Sequence, residues 1–369
     1  VQIFSIVAIA ADVSWFFQGM EEFGRIIKRN VSFKIVNIVY IFCVVKSRED
    51  LILYVGGLSV ITLISNLSLW PFLKGIIKRP TWASIKFYTI LPDVIALFIP
   101  TIAISVYTVL DKTMIGVITN SAFENGYYEQ SLKISRAVMT IVTSLGVVMV
   151  PRIGHYFIEK KMDIVKQYMY KSYRFVWLIG IPLCFGLCAI APNLVPWFFG
   201  VGYDRVVPIL SISSFLILAV GINNVTGIQY LIPTKRQNQF TLTVVLGAVV
   251  NFALNYVLIK KYQSIGAAVA SVVAESVIAI SQLILVRHEI SGIEVVKSSI
   301  KYLLSGVAMF IGVWSVEKLL SPSIVNTVIL IVAGGAIYIV MLYLLRDTFF
   351  VSQVNSMLSV LKKKILREG

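Results

Sequence analysis

The chain has 369 residues, 58% of them hydrophobic and 14% charged, with a mean hydropathy of +0.86. Soluble domains carry about 25% charged residues, so a water-soluble globule is excluded and the bilayer is the solvent. The net charge of +15 does not point to nucleic acid, because Lys and Arg lie between apolar runs rather than on one soluble patch. Cys43, Cys184 and Cys188 fall inside apolar runs, where Cys acts as a small hydrophobe, and they imply neither a disulfide framework nor a metal site.

The chain opens on Val1 and an apolar run, without the basic stretch of a signal peptide, and reads as one whose N-terminus is missing. Eleven segments near the ~20 residues that cross hydrocarbon predict spanning helices at 1–20, 30–46, 51–72, 89–117, 133–151, 174–191, 207–232, 239–259, 265–286, 300–318 and 323–345. Pro71, Pro151, Pro192, Pro208, Pro233 and Pro322 fall near the ends. Pro92, Pro100 and Pro182 fall inside, where membrane helices tolerate kinks.

Lys and Arg in the connections after odd-numbered helices number 21, against 4 after even-numbered ones; Lys34, Lys46, Lys112, Lys133, Arg136, Arg174, Lys301 and Lys318, within helices, complete the 33. By the positive-inside rule the first set is cytoplasmic, and so is the C-terminus. Residues 152–173 mix aromatics with Lys, and the tail sets Phe350, Val354, Met357, Leu361 and Ile365 on one face beside Lys362, Lys363 and Lys364. Both read as amphipathic helices lying on an anionic leaflet.

An ionisable side chain in a spanning helix costs about 2.5–3.5 kcal/mol on insertion scales and so faces a bundle interior or an aqueous cavity. Asp12 is too deep to snorkel and needs a partner or water. Lys34 sits one turn into the second helix, where snorkelling and a ligand role are equally open. Asp93 lies near an interface and reads as structural. Asp111 and Lys112 are adjacent, and Lys133 and Arg136 follow in the next helix at i, i+3. Either these charges form an ion-pair network, or the cations form a wall for a phosphate-bearing substrate.

Asn251 and Asn255 share a face, and Ser271, Glu275 and Gln282 keep helical spacing. Interhelical hydrogen bonding is the common reading of these residues and of the amides Asn66, Asn223 and Asn224; Glu275 with Asn251 and Asn255 is the alternative site for a coupling ion. Gly266, Ala270 and Ala274 make a close-packing face. His155 and His288 lie apart, and no phosphate loop, HExxH motif or paired Cys ligands occur, so no enzyme is expected and no cofactor or metal is implied.

The strings DVSWFFQGMEEF at 12–23, NLSLWPFLK at 66–74, LDKTMIG at 110–116, ENGYYEQSLKI at 124–134, SLGVVMVPRI at 144–153 and KKYQSIGAAVASVVAE at 260–275 resemble the Wzx-type polysaccharide flippases of the MATE-like (MOP) exporter superfamily. The resemblance implies an all-α, two-lobe helical bundle of about fourteen helices, of which the eleven here correspond to helices four to fourteen. It assigns 1–72 to the remnant of the N-terminal lobe, 73–88 to a cytoplasmic connection, 89–286 to a six-helix C-terminal lobe, 299–345 to two extra helices and 346–369 to a basic cytoplasmic tail.

The function implied is translocation of undecaprenyl-pyrophosphate-linked oligosaccharide repeat units across the bacterial cytoplasmic (inner) membrane by alternating access, for O-antigen, capsule or exopolysaccharide. Lys112, Arg136, Lys133, Asp111, Asp12 and Lys34 are the expected substrate-cavity residues, with Trp15, Phe16, Tyr127 and Tyr128 available to sugar faces. Membrane lipids, a polysaccharide polymerase and chain-length proteins are the expected partners, and nucleic acid is not. A MATE-type drug or cation antiporter and a membrane polysaccharide polymerase are the alternatives.

Overall fold

The structure is a computed structural model that describes residues 2–74, 76 and 87–352. Most of the connection at 73–88 and of the basic tail, including the Val354 to Ile365 face, lies outside the described residues, as does the side chain of Asp93. No strand occurs among the described residues. The chain divides into two compact units, Val1–Ile90 and Leu91–Gly369.

In the first unit the helix expected at 1–20 is broken at Asp12. α1 (Gln2–Ala10) stops and α2 (Ser14–Gly19) restarts two residues beyond the carboxylate. Asp12 accepts the backbone N–H of Ser14 at 2.9 Å, and also its hydroxyl, a local bond that competes with helix. Carbonyls left open by the break are satisfied from elsewhere in the unit: Asn66 Nδ2 donates to Ala8 O at 2.6 Å and the Trp70 indole N–H to Ala11 O at 2.9 Å. α3 (Phe23–Val44) begins before the expected position 30, so Arg25, Lys28 and Arg29 lie on its first turns rather than in a connection. A short turn follows, in which the amides of Lys46 and Ser47 donate to Asp50 at 2.9 and 2.8 Å and hold its carboxyl below the ordinary range. α4 (Leu51–Leu67) then packs on α1 and α3, and Phe17, Ile26, Leu69 and Leu73 form a small core.

The second unit opens with two long helices, α5 (Phe87–Thr119) and α6 (Ala122–Ile158). α6 starts well before the expected position 133, because Ser121 accepts the N–H of Glu124 and caps it there. The remainder of the segment expected to lie on the leaflet is α7 (Met162–Phe175), whose Val165, Met169 and Tyr173 are buried in the protein core. Its apolar stripe therefore packs on protein rather than lipid. α8 (Ile181–Phe199), α9 (Val206–Ser213), α10 (Leu216–Asn223), α11 (Gln237–Tyr262), α12 (Ser264–Leu285), α13 (Gly292–Glu317) and α14 (Ile324–Leu344) complete the order. Eight helical segments among the described residues are long and apolar enough to cross a bilayer. Their exposed side chains, such as Val328, Ile331 and Val332 on α14, are those lipid would cover. The protein is an all-α, multi-pass membrane protein.

Two π-helical segments interrupt the spans, Val176–Gly180 before α8 and Asn224–Leu231 after α10. Each ends two residues before a proline, Pro182 and Pro233. A proline has no N–H for the carbonyl four residues back, so Leu178 O loses its helical donor, and the Tyr338 hydroxyl of α14 donates to it at 3.1 Å. α14 is further tied to α8 by Trp197, which donates to Thr327 at 2.7 Å, and by Asn193, which accepts from Thr327 at 2.8 Å. α11 and α12 cross closely: a Cβ on Gly266 would lie 2.3 Å from the Leu258 carbonyl oxygen, and Ala270 and Ala274 are buried on the same face, as their spacing predicts.

The Tyr338 bond has a testable consequence. Tyr338→Phe should destabilise the protein by about 1 kcal/mol, the cost of an unmade hydrogen bond. Adding Pro182→Ala, which restores an N–H in reach of Leu178 O, should recover part of that loss. Thermal melting of the two single variants and the double variant checks this; additive losses would exclude the coupling.

Candidate functional site

Within the second unit lies a cavity of about 350 Å³. α5 contributes Asp111; α6 contributes Tyr128 and Arg136; α10 and the π segment contribute Asn223 and Asn224; α12 contributes Ser271, Glu275 and Gln282. Ser135 of α6 also lines it, and the other described lining residues are apolar, including Leu132, Met139, Val220, Phe240 and Ile278. The helical spacing of Ser271, Glu275 and Gln282 thus becomes one wall of a cavity. Another part of the wall is made by the π segment, which contributes Asn224 and Ile228.

Asp111 is 3% exposed and is surrounded by neutral donors. The Tyr128 hydroxyl and Ser271 hydroxyl donate to Oδ2 at 2.8 and 3.0 Å, and Asn255 Nδ2 donates to Oδ1 at 2.6 Å. The same Asn255 nitrogen reaches Asn251 Oδ1 at 3.0 Å. Glu275 is separate from this cluster and accepts from Asn223 Nδ2. The expected coupling set of Glu275, Asn251 and Asn255 is therefore divided: the two asparagines belong with Asp111. Among the described residues no group of three His, Cys, Asp or Glu side chains is placed to hold a metal ion. Asn223 Oδ1 and Gln282 Oε1, both on cavity residues, are buried without a partner among the described residues.

The three cations gather around one carboxylate, Glu129 of α6, but only one of them lines the cavity. Lys112 points away from Asp111, as adjacent residues on a helix must, and pairs with Glu129. Lys133 is exposed and does not line the cavity. Arg136 does line it, and it forms no ion pair or hydrogen bond among the described residues. Of the expected cationic wall, Lys112 and Lys133 stay with Glu129, and Arg136 alone faces the cavity, which also holds two carboxylates. Of the aromatics expected to meet sugars, Tyr128 is fully buried on Asp111, Tyr127 packs edge-on against Tyr203 at 5.9 Å, and Trp15 is 69% exposed beside Phe16.

In the first unit Asp12 does find a partner, Arg29 at 3.7 Å, which the sequence pattern leaves in a connection. Arg29 also donates to Ser14, Asn30 and Asn66 at 2.9, 2.7 and 3.3 Å. Lys34 lines a separate groove on α3 and α4. A further cluster missed in the sequence pattern lies in the second unit: Glu124, 5% exposed, pairs with Arg205 at 3.1 Å and accepts the N–H of Ser264 at the start of α12. Its signal is the S-x-x-E spacing at 121–124, which marks a helix start.

These environments separate the neighbours Asp111 and Lys112 experimentally. Lys112→Ala removes a part-exposed ion pair worth about 0–1 kcal/mol and should leave melting temperature and abundance near wild type. Asp111→Ala strips the acceptor from three buried donors, each worth about 1–3 kcal/mol when left unsatisfied, and should lower both clearly. Size-exclusion after graded heating reads the two variants side by side; equal behaviour would contradict the hydrogen-bond assignment.

The family model described as "Polysaccharide biosynthesis protein" matches residues 21–208, and no curated protein matches the chain. Among solved structures the chain is similar to the lipid II flippase MurJ in an inward closed conformation, with a TM-score of 0.64 and 16% identity. That likeness covers 87% of this chain and 66% of MurJ, just under two thirds of the longer protein, and at this identity it speaks for the fold. Half of the chain lies within the family model, on the helical membrane fold that the residue strings at 12–23 and 110–134 lead one to expect, and the chain belongs to the polysaccharide biosynthesis protein family.

Proposed function

We propose that this protein is a flippase that moves polyprenyl-pyrophosphate-linked oligosaccharide repeat units across the bacterial cytoplasmic membrane, for O-antigen, capsule or exopolysaccharide assembly. Family membership and the likeness to a flippase for another lipid-linked sugar support the reading. The observation that carries it is Arg136, a guanidinium on the wall of an intramembrane cavity with no ion-pair or hydrogen-bond partner among the described residues. Such a charge needs water or an anion, and arginine matches phosphate oxygens bidentately. The prenyl tail can stay in lipid while the pyrophosphate and glycan cannot cross hydrocarbon unaided, so a polar cavity opened alternately to the two sides is required.

In this reading 89–286 is the six-helix C-terminal lobe, 1–72 belongs to the N-terminal lobe, and 299–345 forms two additional helices. Arg136 is the phosphate ligand, and Lys112 and Lys133 shape the local potential without contacting substrate. Glu275 and the Asn251–Asn255 pair, joined by Asp111, are the candidates for coupling transport to an ion. The polymerase and chain-length proteins would act on the product outside.

Two experiments test the proposal. In a cysteine-free background of the full-length protein, an impermeant thiol reagent should label a cysteine at Asn120 from outside and one at Lys160 only after permeabilisation; the reverse pattern would overturn the orientation. Arg136→Ala should leave abundance near normal while abolishing surface polysaccharide and trapping pyrophosphate-linked units in the inner leaflet. Arg136→Lys should be partly active, since charge survives and bidentate geometry does not. Normal export by a well-expressed Arg136→Ala variant would remove the assignment.

A further inference from the structure

The first unit has a polar groove of its own. It runs along α3 and α4, holds about 190 Å³ and is lined by Arg29, Lys34, Asn30, Asn37, Thr62 and Ser65 among others, with no carboxylate among the described lining residues. Arg29 is 9% exposed in its side chain and is held by Ser14, Asn30 and Asn66. Its counter-ion Asp12 lies 3.7 Å away with its own side chain 43% exposed, so the positive charge is only partly balanced. Lys34 is exposed and forms no ion pair or hydrogen bond among the described residues. Among the described residues Asn37 Oδ1 is buried without a partner, and Asn30, whose oxygen is taken by Arg29, has no acceptor for its amide N–H.

The geometry points to a phosphate-binding site in this groove, formed by the Lys34 ammonium, the fixed charge of Arg29 and the amide of Asn30. The ligand is the phosphate of a membrane lipid: the polyprenyl pyrophosphate of the transported unit, in which case the inference rests on the transport reading above, or the headgroup of an anionic phospholipid. Two cations without a lining carboxylate select an anion. The absence of a carboxylate also distinguishes this groove from the cavity around Arg136.

The test is native mass spectrometry of the full-length protein in detergent, titrated separately with undecaprenyl pyrophosphate and with phosphatidylglycerol. Lys34→Gln should bind one of these lipids about tenfold more weakly, the loss of one charge-assisted contact. Lys34→Arg should keep the affinity, as should Lys46→Gln in the turn that follows α3, whose ammonium is occupied by the Phe42 carbonyl. Loss with undecaprenyl pyrophosphate assigns the groove to substrate; loss with phosphatidylglycerol alone assigns it to a resident lipid. No loss with either lipid, or an equal loss in Lys46→Gln, overturns the site. The transport reading is judged independently, by export in the Arg136→Ala variant.

Discussion

In hydrocarbon there is no water to take up a backbone group that a helix fails to satisfy, so every irregularity in a span has to be answered by a side chain of a neighbour. The break at Asp12 is possible because Asn66 and Trp70 reach the carbonyls of Ala8 and Ala11. The gap left by Pro182 is filled by Tyr338. In both places the residue that disturbs one helix specifies which other helix packs beside it. The same demand explains why α8 and α14 are joined by Asn193, Trp197 and Thr327 as well as by apolar contact. Between transmembrane helices the hydrophobic effect offers little preference for one partner over another, and hydrogen bonds and close packing supply it.

Charged groups obey the same rule with higher stakes, and the second unit treats its ionisable residues in two ways. Asp111 is enclosed by hydroxyl and amide donors from α6, α11 and α12, so one carboxylate organises the crossing of four helices. Glu124 does similar work where α12 begins, with Arg205 as its counter-charge. Arg136 is left open to the cavity. A protein that spends donors so fully on Asp111 yet leaves a guanidinium facing a cavity has placed a charge where a ligand can use it. That contrast is the physical basis of the proposed flippase.

The cavity wall also depends on irregular helix. The π segment at Asn224–Leu231 puts two amides into the bundle, Gln229 donating to Asn224 at 2.9 Å, directly after Asn223 of α10, which engages Glu275. Thr226 in the same segment bonds Tyr173 at 2.7 Å, on the helix that carries the other π segment. Gly146 and Gly227 make room, since a Cβ on either would lie 2.5 or 2.6 Å from Asn224 or Phe240. Polar side chains and helix defects therefore occur together, each accommodating the other.

Hydropathy, charge asymmetry and the residue strings determined by themselves that the protein is a helical membrane protein of a polysaccharide biosynthesis type, because insertion into lipid is decided segment by segment from local composition. They also determined the close-packed α11–α12 face and the one-sided placement of Ser271, Glu275 and Gln282, since both follow from helical period alone. Tertiary structure decided what period cannot: that Asp111 turns to Tyr128, Ser271 and Asn255 while Lys112 turns to Glu129, that Arg29 rather than Lys34 meets Asp12, and that the stripe of α7 faces protein. These outcomes depend on which helix stands opposite, and a charged or amphipathic residue reads identically in sequence whether its partner is a carboxylate, an amide, a core or a lipid headgroup.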